Sequence, residues 1–232
     1  CYPDFELPLE KISESITEKT KMIIVNSPCN PTGAVYSREQ IKELAEMAAA
    51  KDILVMSDEI YERFCYDGEC ASIAEYYEKT LVLGGFSKAY AMTGWRLGYV
   101  AGNECLREVV EAMTKIQQYT FVCAPTPFQK AAIAALDYDV SNFVEAYRHK
   151  RNLIYEGLRE KFEVVRPGGA FYAFVKAPGG SSATEFVEKA IANNVLVIPG
   201  NVFSEQDTHF RISYATSDEK IKQGAETLCG LV

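Results

Sequence analysis

Short apolar runs alternate with amphipathic stretches along the first half of the chain. Residues 21–26, KMIIVN, form an apolar run that stops at the turn residues SPCNPTG, so a buried strand is expected there. Ser37 opens SREQIKELAEMAAAK with Gln40 three residues on, the pattern of a reciprocal helix cap. Ile41, Leu44, Ala45 and Ala48 then recur at helical spacing, and the segment is read as a helix. DILVMSDE predicts a second buried strand from Ile53 to Ser57, TLVLGG a third at 80–85, and RLGYVAG a fourth. Helices are expected at about 104–118 and 127–137. Strands that are apolar almost throughout and alternate with helices predict an α/β fold, with a mainly parallel sheet covered on both faces.

The texture changes near residue 140. SNFVEAYRHKRNLIYEGLREKF reads as one long amphipathic helix, followed by AFYAFVK, a helix near 183–193, VLVIPG, HFRISYA and a last helix near 217–229. These shorter elements predict a smaller α+β unit, giving two domains, 1–139 and 140–232, with the long helix as the bridge. No internal repeat or low-complexity tract interrupts either part.

Charge and cysteine content narrow the function classes. A formal net charge of −8 argues against nucleic acid or an anionic membrane as partner. No apolar run reaches the roughly 18 residues of a membrane span. Seven cysteines at irregular spacing, without a CxxC pair, read as reduced and mostly buried thiols of a cytoplasmic protein. With only two histidines, His149 and His209, and neither beside a cysteine pair, no zinc site is expected. The opening CYPDFE has neither an initiator methionine nor the pattern of a signal peptide, and reads as the interior of a longer chain.

Ligands of parallel α/β sheets collect beyond the carboxyl ends of the strands. Asn30, in NPTG, follows the first strand. Asp58 and Tyr61, in SDEIY, follow the second, and Ser87 and Lys88 follow the third. Arg96 lies just before the fourth. Each residue has an ordinary structural role open to it. Asp58 could cap a helix, Tyr61 could be a core tyrosine, and Lys88 could be a solvated loop residue. Arg96 could pair with Glu59, and Asn30 with Gly33 could serve only a turn. GGFSKAY is not a Walker A loop, and no GxGxxG follows a strand, so a nucleotide is a poor ligand for the set. The residues suit an aldehyde with a phosphate handle and a pyridine ring. Lys88 would attach as a Schiff base, which needs a neutral amine. Asp58 would hold a proton on the ring nitrogen and keep the ring an electron sink. Tyr61 and Asn30 would bind the phenolic oxygen, and Ser87 and Arg96 the phosphate.

The motifs NSPCNPTG, SDEIYE and SKAYAMTGWRLGY resemble those of the fold-type I, pyridoxal-phosphate-dependent aminotransferases of class I/II, which include aspartate, aromatic and alanine aminotransferases. FVCAPTPFQKAAIAAL, RPGGAFYAF, VLVIPGNVF and HFRISYA extend the similarity almost end to end. The resemblance implies pyridoxal 5′-phosphate on Lys88, with Asp58, Tyr61, Asn30, Ser87 and Arg96 in the roles given above. It further implies that Arg211, in HFRIS, clamps the substrate α-carboxylate, that an α-amino acid and a 2-oxo acid are the substrates, and that the protein is a homodimer. Gly85 stands where many members carry a hydroxyl that also binds the phosphate.

By the same resemblance the chain corresponds to the C-terminal portion of such an enzyme. No counterpart of the family's phosphate loop or ring-stacking aromatic precedes KMIIV, so weak cofactor binding and little activity are expected of these residues alone. Two other functions fit the same residues: a C–S β-lyase or related pyridoxal-phosphate enzyme, and a non-catalytic ligand-binding module.

Overall fold

The computed structural model describes residues 4–180 and 182–232. A short helix α1 (Leu9–Ser15) leads into β1 (Met22–Asn26), α2 (Arg38–Ala50), β2 (Leu54–Asp58), β3 (Thr80–Gly85) and β4 (Gly98–Gly102). The strands form one four-stranded sheet in the order β1-β2-β3-β4. β1, β2 and β3 run parallel, and β4 returns antiparallel to β3 with Gly85 opposite Gly98. Residues 86–97 contain no crossover helix long enough to bring β4 round in parallel. The amino end of β4 therefore shares an edge with the carboxyl ends of the other three strands.

The expected cap on α2 is present. Ser37 Oγ accepts from the Gln40 amide, and Gln40 returns a side-chain acceptor to the Ser37 amide. Its buried Ile41, Leu44, Ala45 and Ala48 pack with Val25 and Val55 of the sheet. Leu9 and Ile12 of α1 rest against this cluster. The sequence reading passed over α1 because two apolar residues are too few to show a period.

Helices α3 (Arg107–Thr120), α4 (Thr126–Leu136) and α5 (Ser141–Leu158) follow, then β5 (Tyr172–Lys176), α6 (Ala183–Ala192), β6 (Ile198–Pro199), β7 (His209–Ser213) and α7 (Asp218–Cys229). The second sheet has the order β5-β7-β6 and is antiparallel throughout. Its core joins Phe174's neighbours Ala173 and Val175 to Phe210, Phe186, Leu158 and Leu228. VLVIPG yields only the two paired residues of β6, because Gly200 begins a 3-10 turn. The architecture is thus α/β, with a mainly parallel sheet followed by a smaller α+β arrangement. Helix α5 contributes Ile154 and Leu158 to the second core and Val144 to a separate aromatic cluster, so it touches both parts.

The thiols depart from expectation. Cys65 and Cys70 form a disulfide, with their Cα atoms 6.0 Å apart across the turn at Asp67–Gly68. Their CxxxxC spacing carried no signal of pairing. Cys105 and Cys123 are exposed, and Cys29 and Cys229 are half-buried, rather than mostly buried. Cys1 lies outside the described residues. Among the described residues no helix is long and apolar enough to cross a membrane, and no cluster of side chains suits a metal ion.

Candidate active site

Asn26 ends β1 and ties two candidate residues together. Its Nδ2 donates to the Asp58 carbonyl at 3.0 Å, and its Oδ1 accepts from the Asn30 amide at 2.9 Å. The NPTG turn is thereby fastened to the carboxyl end of β2. Asp58 Oδ1 accepts from the Ile60 amide, so the ordinary turn-capping role does exist. That bond uses one carboxylate oxygen and leaves the other available.

Asn30 Oδ1 accepts from Arg211 Nη1 at 2.8 Å, a bond that spans 181 positions and joins the first strand's turn to β7. The Arg211 guanidinium is held between two rings, 4.6 Å from the Tyr172 centroid and 4.7 Å from that of Phe203. Its Nε is buried and has no hydrogen-bond partner among the described residues. A buried guanidinium nitrogen without an acceptor carries a desolvation cost that an anion would relieve.

Lys88 Nζ lies 5.5 Å from the Tyr61 centroid and 5.8 Å from that of Phe171. The Tyr61 and Tyr172 hydroxyls are 3.0 Å apart and both side chains are buried. Burial above all pushes the Tyr61 phenol well above its ordinary pKa. Tyr61 remains a neutral donor or acceptor throughout the physiological range.

The loop between β3 and β4 is folded by its own backbone. Phe86 bonds the Leu97 carbonyl, and Met92 bonds the Phe86 carbonyl. Thr93 is its centre: Oγ1 donates to the Ser87 carbonyl at 2.9 Å, and its carbonyl accepts from Arg96 Nη1 at 2.9 Å. Arg96 has a positive φ of 51° and an exposed side chain. Its pairing with Glu59, one reading of the sequence, does not form. Glu59 instead accepts from Ser57 and Ser72, and burial raises its pKa.

Asn30, Asp58, Tyr61, Ser87, Lys88 and Arg96 therefore stand on one edge or its flanking loops, and Arg211, on β7 of the second sheet, joins them through its bond to Asn30. Asp58, Lys88, Arg96 and Arg211 make no salt bridge among the described residues. Three cations without carboxylate partners on a chain of net charge −8 make a local anion-binding region. Asn26, Thr93, Phe171, Tyr172 and Phe203 were not singled out from sequence. RPGGAFYAF was noticed as a motif, but periodicity places Tyr172 only in a strand, and nothing local shows which group it meets.

The turn and the second half meet closely. Gly33 and Gly169 make the contact: the Gly33 carbonyl accepts from the Gly168 and Gly169 amides at 2.9 Å. At Gly33, φ is +71° and a Cβ would stand 2.6 Å from the Tyr172 carbonyl, so both conformation and space require glycine.

The family profile for "Aminotransferase class I and II" matches residues 1–228. The chain belongs to this family. Among its relatives, the probable aspartate aminotransferase of Methanocaldococcus jannaschii is 43% identical over 227 residues, which cover 95% of this chain and 60% of that one. Aromatic-amino-acid aminotransferase 2 of Thermococcus litoralis is 38% identical, over 97% of this chain and 60% of its own. A solved Thermus thermophilus aspartate aminotransferase (a double mutant) superposes with a TM-score of 0.91 at 38% identity, over 99% of this chain and 61% of that one. The chain spans about 60% of the length of the curated relatives it matches.

Aminotransferases of this family use pyridoxal 5′-phosphate. The residues present fit that group. A primary amine without a counter-ion, an unpaired carboxylate and a cation for a phosphate share one edge, and β7 brings a cation for a carboxylate to it. The orphaned Arg211 nitrogen is the observation that most requires an anionic ligand.

Proposed function

We propose that the protein acts as a pyridoxal-phosphate-dependent aminotransferase, moving an amino group from an α-amino acid to a 2-oxo acid. The observation that carries this reading is the set Lys88, Asp58 and Arg211, unpaired and brought together in a chain of this family. When bound, pyridoxal phosphate supplies the electron sink for loss of the Cα proton. In the resting protein Lys88 would hold the cofactor through its carbonyl carbon, and once released its amine would serve as the base that moves the proton. Asp58 keeps a proton on the ring nitrogen, with its free carboxylate oxygen as acceptor. Tyr61 and Asn30 hold the ring's phenolic oxygen. Ser87 and Arg96, linked through Thr93, bind the phosphate. Arg211 binds the substrate α-carboxylate, with its guanidinium fixed by Asn30 and two rings before substrate arrives.

The names carried by its relatives support transamination over the β-lyase reading. A non-catalytic module is disfavoured because neither Lys88 nor Asp58 makes a salt bridge among the described residues, and the Ile60 amide occupies only one Asp58 oxygen.

The two-domain division, 1–139 and 140–232, belongs to the same proposal, with α5 as the connection. So does a homodimer. Ile116, Tyr119, Phe121, Ile133, Leu136 and Tyr138 are exposed on and around α3 and α4, an apolar surface suited to a second copy. A cytoplasmic setting accords with the four unpaired thiols among the described residues.

The test is trapping. Borohydride reduction in the presence of pyridoxal phosphate, followed by peptide mapping, should place the label on Lys88. Label on another lysine refutes the assignment. Transfer from amino donors to 2-oxo acids is then assayed directly, and trapping at Lys88 without any transfer would refute the activity.

A further inference from the structure

Two buried phenols meet beside the lysine, and only one was expected to matter. Tyr61 and Tyr172 are 4% and 7% exposed, with hydroxyl oxygens 3.0 Å apart and rings edge to face at 86°. A phenol has one proton to give, so within the pair one hydroxyl donates and the other accepts. If Tyr61 donated to Tyr172, its proton would be spent and unavailable to a ligand. If Tyr172 donates, the Tyr61 proton is free to point at a third group.

The surrounding charges decide the direction. The Arg211 guanidinium lies 4.6 Å from the Tyr172 centroid. The cation over the ring polarises it and so strengthens the Tyr172 hydroxyl as a donor. Lys88 Nζ faces the Tyr61 ring from farther away, 5.5 Å, and so polarises that phenol less.

We propose that Tyr172 is a positioning residue for Tyr61: its hydroxyl donates to the Tyr61 oxygen, fixing the phenol and directing the Tyr61 proton toward the phenolic oxygen of the cofactor. This rests on the cofactor reading above. It adds a residue that acts only through Tyr61. Because Arg211 stacks on the same ring, occupation of Arg211 by a substrate carboxylate weakens the cation's hold on Tyr172. Substrate binding is thereby coupled to the hydrogen bond on the cofactor.

Tyr172→Phe keeps the ring beneath Arg211 and removes one oxygen. With pyridoxal phosphate added, the pH midpoint of the cofactor's visible absorbance should rise by about half to one unit, roughly three- to tenfold in the equilibrium constant. The thermal midpoint and the KM for the amino donor should change little, because the stack on Arg211 remains. Tyr172→Leu, which also loses the stack, should raise that KM as well. A midpoint within about 0.2 units of wild type in Tyr172→Phe would overturn the proposal. A second measurement needs no cofactor. Trifluorotyrosine incorporated at position 61 brings its titration into an accessible range, to be followed by fluorine NMR. Its midpoint should rise by about half a unit or more when Tyr172→Phe removes the donor. An unchanged midpoint overturns the proposal even if the cofactor binds. If wild type neither develops visible absorbance nor traps label on Lys88, the cofactor reading fails, and the fluorine shift alone decides whether Tyr172 donates to Tyr61.

Discussion

Arg151 is completely buried near the middle of α5, and its removal should be among the most damaging single changes outside the site. Nη1 donates to Asp67 Oδ2 at 2.8 Å and to the Pro167 carbonyl at 2.7 Å. Nη2 reaches Asp67 Oδ1 at 3.3 Å, Nε reaches Asn152 Oδ1 at 2.8 Å, and the guanidinium lies 5.0 Å from the Tyr66 centroid. Its partners do not fare alike when it is lost. Asp67 is half exposed and recovers water. Pro167 is buried, so its carbonyl loses its donor, at about 1–3 kcal/mol. Adding the lost charge-assisted bonds, about 1.5–3 kcal/mol each, places Arg151→Met at about 3–5 kcal/mol. At this chain length that corresponds to a fall in Tm on the order of 10 °C.

Asp67→Asn leaves the completely buried guanidinium without its counter-charge, facing only neutral acceptors, and should cost about 1–3 kcal/mol. Urea unfolding followed by far-ultraviolet circular dichroism measures both, with an unchanged slope confirming that only stability moved. The Arg151 hydrogen bonds hold the Asp67 carboxyl below the usual range. A depressed carboxylate contributes stability above its unfolded value, and this is lost as pH falls below about 4 and through the lowered folded value. Acid sensitivity in that window should diminish in Asp67→Asn. A loss below about 1 kcal/mol in Arg151→Met would refute the reasoning.

Other perturbations address the site and its support. Asp58→Asn should retain cofactor absorbance while turnover falls by orders of magnitude, and an unaltered kcat would remove Asp58 from the ring nitrogen. Asn26→Ala removes the bonds to the Asn30 amide and the Asp58 carbonyl, and should cost about 1–3 kcal/mol in stability and weaken affinity for pyridoxal phosphate, read by absorbance titration. Thr93→Val should weaken inorganic phosphate as a competitor of the cofactor by severalfold, because the link from Ser87 to Arg96 is cut. Opening Cys65–Cys70 with dithiothreitol should lower unfolding free energy by about 2 kcal/mol for so short a loop, with helical circular dichroism preserved.

What the sequence revealed follows how local each interaction is. The strands at 21–26 and 80–85 and the capped helix after Ser37 depend on neighbours a few residues away, and the structure has them there. Lys88, Asp58 and Arg96 were legible because strand ends and loop positions follow from the same periodicity. Arg211 was not legible in that way. Its tie to Asn30 spans 181 positions, and only the family resemblance of HFRIS pointed to it. Tyr172, Thr93 and Asn26 act through hydroxyl, carbonyl and amide contacts that leave no spacing in the chain. The disulfide escaped notice for a related reason. Whether two cysteines five apart can bridge depends on the turn between them, and that turn at Asp67–Gly68 is itself held by Arg151 from α5.

The same distinction explains why the site is a junction rather than a pocket of one sheet. The parallel strands supply Asp58 and Lys88, but the ligand-facing cation Arg211 comes from the antiparallel sheet. Three contacts connect them: Asn30 to Arg211, Tyr61 to Tyr172, and the Gly33 carbonyl to the Gly168 and Gly169 amides. None involves an aliphatic core residue, and they lie within the NPTG turn, SDEIY, GGAFY and HFRIS. Polar bonds across such a seam contribute only about 0.5–1.5 kcal/mol each when neutral, and up to about 3 when charged. A movement of the second sheet relative to the first is opposed both by such bonds and by the buried aromatic cluster that Tyr61, Phe64 and Tyr66 share with Tyr172. A carboxylate arriving at Arg211 adds another charged bond on the same seam. On the proposed function, substrate binding at Arg211 would draw on residues that also join the two parts, and a change at Gly33 should disturb both at once.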